Sequence, residues 1–188
     1  MPLDRHPPRS NAQRGRQHPL NLMTFQLINL SPWPDQMLKR AVRQGWREGT
    51  SEATIYVSDR WFDHGRHMEG ETKLPVDKSV EWDGICYYEE KIAYIFLSQT
   101  TAFPLVWWVN TGFKASYQRG MVFNTPAEYF LYCIAHELSH IWQNENRRKK
   151  WLGAGMPGAD AEMDADLYAI LKLNEYRRKT RFKDCQEC

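Results

Sequence analysis

No apolar run in this chain approaches the roughly 20 residues that a membrane-spanning helix requires, so no membrane association is expected. Cysteine is scarce. Cys86, Cys133, Cys185 and Cys188 are too few and too scattered in 188 residues for a secreted disulfide framework. Net charge is nearly absent at +2, so the whole chain lacks the basic excess of a general nucleic-acid binder. The opening residues, Met1-Pro2-Leu3-Asp4-Arg5-His6-Pro7-Pro8-Arg9, carry no apolar core of a signal peptide, and the expected location is cytoplasmic.

What is present suits one α+β domain over residues 23–183, long enough to bury a substantial core. Residues 1–22 read as a disordered basic arm, rich in Arg, Pro, Gln and His, and 184–188 as a tail. A helix is predicted over 35–46, with Met37, Leu38, Ala41, Val42 and Trp46 on one side. A short β-branched strand follows over 53–58. Residues 59–82 read as a long polar connection containing His64 and His67. This pair reads as loop histidines, with a second metal site as the alternative. Strands are expected over 84–89 and 91–98, forming a hairpin at Glu89-Glu90, with a further apolar segment over 103–109. The run 92–97 is almost wholly apolar, as in a strand covered on both faces. The expected sheet is small and mostly antiparallel, preceded by an N-terminal helix.

The densest chemistry lies in 125–146. Thr125 is placed to cap a helix, Pro126 to occupy its first position and Glu128 its third, closing a capping box. Phe130, Ile134, Leu138 and Ile141 then recur at helical spacing. His136 and His140 are four apart and project from one side, with Glu137 between them. Two imidazoles on adjacent turns can grip one Zn²⁺, and the Glu can reach a water beside it. A chance match to five such letters is expected in about one chain of this size in a few hundred. The motif therefore gains its weight from lying on a capped helix and from a suitable third ligand downstream.

That ligand is Glu162, on a second helix predicted over about 159–179, after a loop punctuated by Gly153, Gly155, Pro157 and Gly158. Glu162 and Asp166 are four apart and share a face, whereas Asp164 points nearly opposite and is expected to face solvent.

His136-Glu137-Leu138-Ser139-His140 followed by Glu162-Met163-Asp164-Ala165-Asp166 resembles the gluzincin branch of zinc metallopeptidases, over about residues 127–170. The second motif is similar to that of the membrane-associated prenyl-protein and heat-shock peptidases and of the small cytoplasmic ImmA/IrrE-type peptidases. The short loop between the motifs favours a small member without a membrane segment. The resemblance implies a zincin-like fold with Zn²⁺ held by His136, His140 and Glu162. It further implies Glu137 as general base and Asp166 as partner to a ligand histidine, His136 by preference. It also implies a protein or peptide substrate laid along an edge strand drawn from residues 84–109.

Hydrolysis of this kind also calls for a donor to the developing oxyanion. Tyr168, Tyr129, Tyr132 and His64 are the candidates. Two other readings compete with the peptidase. One is an inactive zincin-scaffold binding or assembly protein, of the kind a phage or mobile element encodes. The other is a DNA-associated peptidase resembling the SprT type. For the latter, the basic arm and tail offer weak nucleic-acid contact, whereas residues 147–150 read as cations suited to a helix C-terminus, with a patch for acidic partners shared with 177–183 as the alternative. Cys185 and Cys188 supply only half of a tetrahedral zinc site and read as a frayed tail.

Overall fold

A computed structural model describes residues 23–59, 84–110, 118–153 and 156–184. The 1–22 arm, the 60–83 segment with His64 and His67, and Cys185 and Cys188 lie outside the described residues. So do the side chains of residues 147–150, 181 and 183.

The elements run β1 (Thr24–Asn29), α1 (Asp35–Gly45), β2 (Glu52–Ser58), β3 (Gly84–Tyr87), β4 (Ile92–Phe96) and β5 (Leu105–Asn110). There follow β6 (Gln118–Phe123), α2 (Pro126–Trp151), β7 (Leu152–Gly153), β8 (Met156–Pro157) and α3 (Ala159–Asp184). The class is α+β, as expected. The first described element is a strand, however, and the helix follows it.

The principal sheet has the strand order β1-β2-β4-β3. β1 pairs with β2 in parallel, and β2 with β4 likewise; β3 alone is antiparallel, to β4. This corrects the expectation of a mostly antiparallel sheet. A parallel return needs a crossover, and α1 supplies one between β1 and β2. The predicted hairpin does form between β3 and β4, with Tyr87 opposite Ile92. Glu89-Glu90 is not a residue pair that two-residue hairpin turns favour, and the connection is a longer loop in which Lys91 adopts a φ of 60°. The Lys91 ammonium is anchored by Glu52 and Glu145, each at 3.1 Å.

The strand over 92–97 is covered on one face, not both. Ala93, Ile95 and Leu97 are buried, alongside Ala53, Ile55 and Val57 of β2. The other face is half-buried, where Tyr56 stacks on Tyr94 at 4.8 Å and Tyr87 meets Tyr94 edge-on at 5.8 Å. Fully burying an aliphatic side chain contributes about 1.5–3 kcal/mol, so the inward face dominates the stability of this sheet. β5 and β6 form a separate antiparallel ribbon, with Val106 opposite Val122 and both exposed.

α2 is the core of the molecule, packed by α1, α3 and the sheet. Thr125 caps it as predicted, its Oγ1 accepting from the Glu128 N–H at 3.3 Å. Glu128 reaches one residue further than a capping box requires and accepts from the Asn124 N–H at 2.8 Å. The predicted stripe of Phe130, Ile134, Leu138 and Ile141 is fully buried, but so are Tyr129, Leu131 and Ala135. Burial on several sides follows from partners on several sides. α1 approaches so closely that a Cβ on Gly45 would lie 3.2 Å from Ala135. Along α3, Ala161, Ala165, Ala169 and Leu173 recur every fourth residue and are fully buried, a short-sided face that allows close packing on α2.

Candidate metal centre

That packing brings the start of α3 to the middle of α2. The His136 Nε2 and Glu162 Oε2 atoms lie 3.2 Å apart, His140 Nε2 and Glu162 Oε1 3.5 Å, and the two Nε2 atoms 3.2 Å. Donors about 2.0–2.2 Å from one tetrahedral ion stand about 3.3–3.6 Å from each other. The three side chains therefore already have the spacing of a metal's ligands. They form a group that could hold a metal ion, the only such group among the described residues.

His140 is buried, His136 nearly so, and the Glu162 carboxylate is the most open of the three. The charges are unevenly shared. Burial opposes a charge on His136, but hydrogen bonds to Asp166 and Glu162 and the charge of Glu137 outweigh it and push the imidazole up to about 10. Burial and the neighbouring His136 push His140 down to about 4. Burial would raise the Glu162 carboxyl, yet the His136 hydrogen bond and the charges of His140 and His136 hold it below its ordinary range. The carboxylates of Glu137, Glu162 and Asp166 thus place negative charge around the two imidazoles.

Asp166 shares the face of Glu162 and lies 2.8 Å from His136 Nδ1, through Oδ1. The same oxygen accepts from the Tyr132 hydroxyl at 2.5 Å. Burial and Asp166 raise Tyr132 far above the ordinary tyrosine range, so it stays a donor. Glu137 is buried on the next face of α2, and its side chain lies against Gly84 at the start of β3. Among the described strands β3 is an edge of the principal sheet, and its first residue lies beside Glu137.

The tyrosine candidates for an oxyanion donor are engaged elsewhere. The Tyr168 hydroxyl donates to the Trp46 carbonyl at 2.7 Å, because two residues along a helix turn it nearly opposite Asp166. The Tyr129 hydroxyl donates to the Phe96 carbonyl at 2.8 Å. Tyr132 is committed to Asp166, and His64 lies outside the described residues.

The expectation for Asp164 is corrected: it is not turned to solvent. Its Oδ2 accepts from Arg47 Nη1 at 2.7 Å and from Gln143 Nε2 at 3.0 Å. The face opposite Glu162 meets the end of α1, which helical periodicity could not reveal. Sequence reasoning missed Gln143, Arg47 and Gly84. The available signal for Gln143 was its position three residues after His140, on the same side of the helix.

No protein-family model, curated protein or solved structure matches this chain.

Proposed function

We propose that the protein is a zinc-dependent metallopeptidase. The observation that carries this reading is the 3.2, 3.2 and 3.5 Å spacing among His136 Nε2, His140 Nε2 and the two Glu162 oxygens. A two-imidazole, one-carboxylate donor set suits a catalytic zinc, since three protein ligands leave a fourth position for water or substrate.

Zinc bound there supplies Lewis acidity, which acidifies a water and polarises a carbonyl. His136, His140 and Glu162 would hold the ion. Asp166, itself held by Tyr132, accepts from His136 Nδ1 and so turns the Nε2 edge of the ring toward His140 and Glu162, where the ion would sit. Glu137 takes a proton from the attacking water as its oxygen bonds to the carbonyl carbon. It returns that proton to the leaving nitrogen as the C–N bond breaks. β3, an edge among the described strands and beside Glu137, would offer backbone groups to pair with an extended peptide and set its carbonyl against the site.

The test is a peptidase assay of the full chain against a mixed peptide pool, read by mass spectrometry. Glu137→Gln is expected to abolish cleavage and keep its zinc. Cleavage retained in that variant contradicts the mechanism.

A second reading is an inactive binding or assembly protein on the same scaffold. It draws support from the exposed pair Val106 and Val122 on the β5–β6 ribbon, and from Leu167 and Leu171 on α3. Zinc uptake without cleavage of any peptide in the pool favours it.

A further inference from the structure

The two histidines of the cluster have unlike outer partners. His136 faces a carboxylate; His140 faces an amide. His140 Nδ1 lies 3.0 Å from Gln143 Oε1, and Gln143 has no exposed surface. Which end of that amide meets the imidazole is decided by the rest of its surroundings. Its nitrogen lies 2.9 Å from the Ala161 carbonyl oxygen and 3.0 Å from Asp164 Oδ2. Two acceptors can face only an NH₂ group, so the amide cannot be turned round. Its oxygen is thereby fixed against His140, and an oxygen offers only lone pairs. Nδ1 must then carry the hydrogen, leaving the lone pair on Nε2, the atom that faces His136 and Glu162.

Asp164 is itself pinned. Arg47 donates to Oδ2 from Nη1 at 2.7 Å and to Oδ1 from Nη2 at 3.4 Å. The guanidinium lies 3.8 Å over the Trp142 ring and 4.7 Å from the Tyr168 ring. A chain of directed hydrogen bonds therefore runs from the residue following α1 and Trp46, through α3, to an imidazole on α2.

We infer that Gln143 is the positioning residue for His140 as a metal ligand, and that Arg47 and Asp164 set the direction of its amide. This rests on the metal reading of the cluster and not on peptidase activity. A neutral partner suits this place. Glu137, Glu162 and Asp166 already surround the pair of imidazoles, and a carboxylate at position 143 would stand against Asp164. The amide orients His140 without adding negative charge.

The first test uses wild-type protein and needs no variant to fold. Long-range ¹H–¹⁵N spectra of the histidines in the full chain, with and without zinc, are expected to show His140 with its hydrogen on Nδ1 in both. A hydrogen on Nε2 in the metal-free chain, or zinc on Nδ1, overturns the inference. The second test is Gln143→Met, which keeps the volume and removes the acceptor. Chelator competition is expected to show zinc affinity about 10–100-fold weaker, with the fixed His140 hydrogen signal lost. Asp164→Asn leaves all ligands and Gln143 in place and is expected to weaken zinc binding by a smaller factor. If wild type binds zinc and Gln143→Met binds it equally well, the inference fails while the metal reading stands. If wild type takes up no zinc, both fail.

Discussion

Gly84 lies against the side chain of Glu137: a Cβ at that position would collide with the carboxylate oxygen and stand 3.1 Å from both Cγ and Cδ. With a side chain on the first residue of β3, the Glu137 carboxylate would have to move from its place. Glycine is needed here for space, and the space belongs to the group assigned the proton transfer.

Gly84→Ala is therefore expected to displace the Glu137 carboxylate and leave the metal ligands where they are. A misplacement of about 1 Å in a catalytic group can cost about 100-fold in rate. Steady-state peptidase kinetics should show turnover falling by about 10–100-fold, with zinc content unchanged. Wild-type turnover in this variant would contradict the role given to the Gly84–Glu137 contact.

Asp166 is the charged anchor of His136, at 2.8 Å from Nδ1. Asp166→Asn keeps the shape and an acceptor oxygen but removes the charge. Zinc affinity by chelator competition is expected to fall about tenfold, in line with the usual cost of altering a ligand's hydrogen-bond partner. Tyr132→Phe, which leaves the carboxylate in place, should cost less. Equal affinity in wild type and Asp166→Asn would remove Asp166 from the account.

The site was more legible in the sequence than the sheet was, and the reasons are physical. Helical periodicity is local, so Thr125, the His136–His140 pair and the shared face of Glu162 and Asp166 could all be read from spacings of three and four. Parallel pairing is not local. β1 and β2 are joined in register from Thr24↔Glu52 to Asn29↔Val57 across an intervening helix, and nothing in either segment names its partner. The run 92–97 is almost wholly apolar, so composition suggested two covered faces. In the fold its alternate residues pack on α2 and on neighbouring tyrosines. Asp164 shows the same limit, since period places it opposite Glu162 but only the tertiary fold brings Arg47 to meet it.

The start of α2 is tied to α3 by an ion pair with a predictable pH signature. Glu128 accepts from Arg177 Nε at 3.0 Å and Nη2 at 2.6 Å. Burial alone would raise this carboxyl, but the Arg177 and Asn124 bonds outweigh it and hold the group below its ordinary value of 4.5. In the unfolded chain the carboxylate takes up its proton first as pH falls. The stability it contributes is thus complete above about pH 4.5 and lost as pH drops through the lower folded value. Thermal melts should show wild type losing more stability than Glu128→Gln between about pH 5 and about pH 3. At neutral pH the variant should be less stable by about 1.5–3 kcal/mol, the scale of a hydrogen bond to a charged group. Parallel pH profiles for the two proteins would contradict this assignment.

The account depends above all on His136, His140 and Glu162 acting together as one metal-binding group, with atoms already 3.2–3.5 Å apart. The most direct measurement is zinc content and affinity of the purified full chain beside His140→Ala. We expect one zinc per wild-type chain and loss of tight binding in the variant. Wild type without zinc, or a variant that keeps its zinc undiminished, would contradict the central claim.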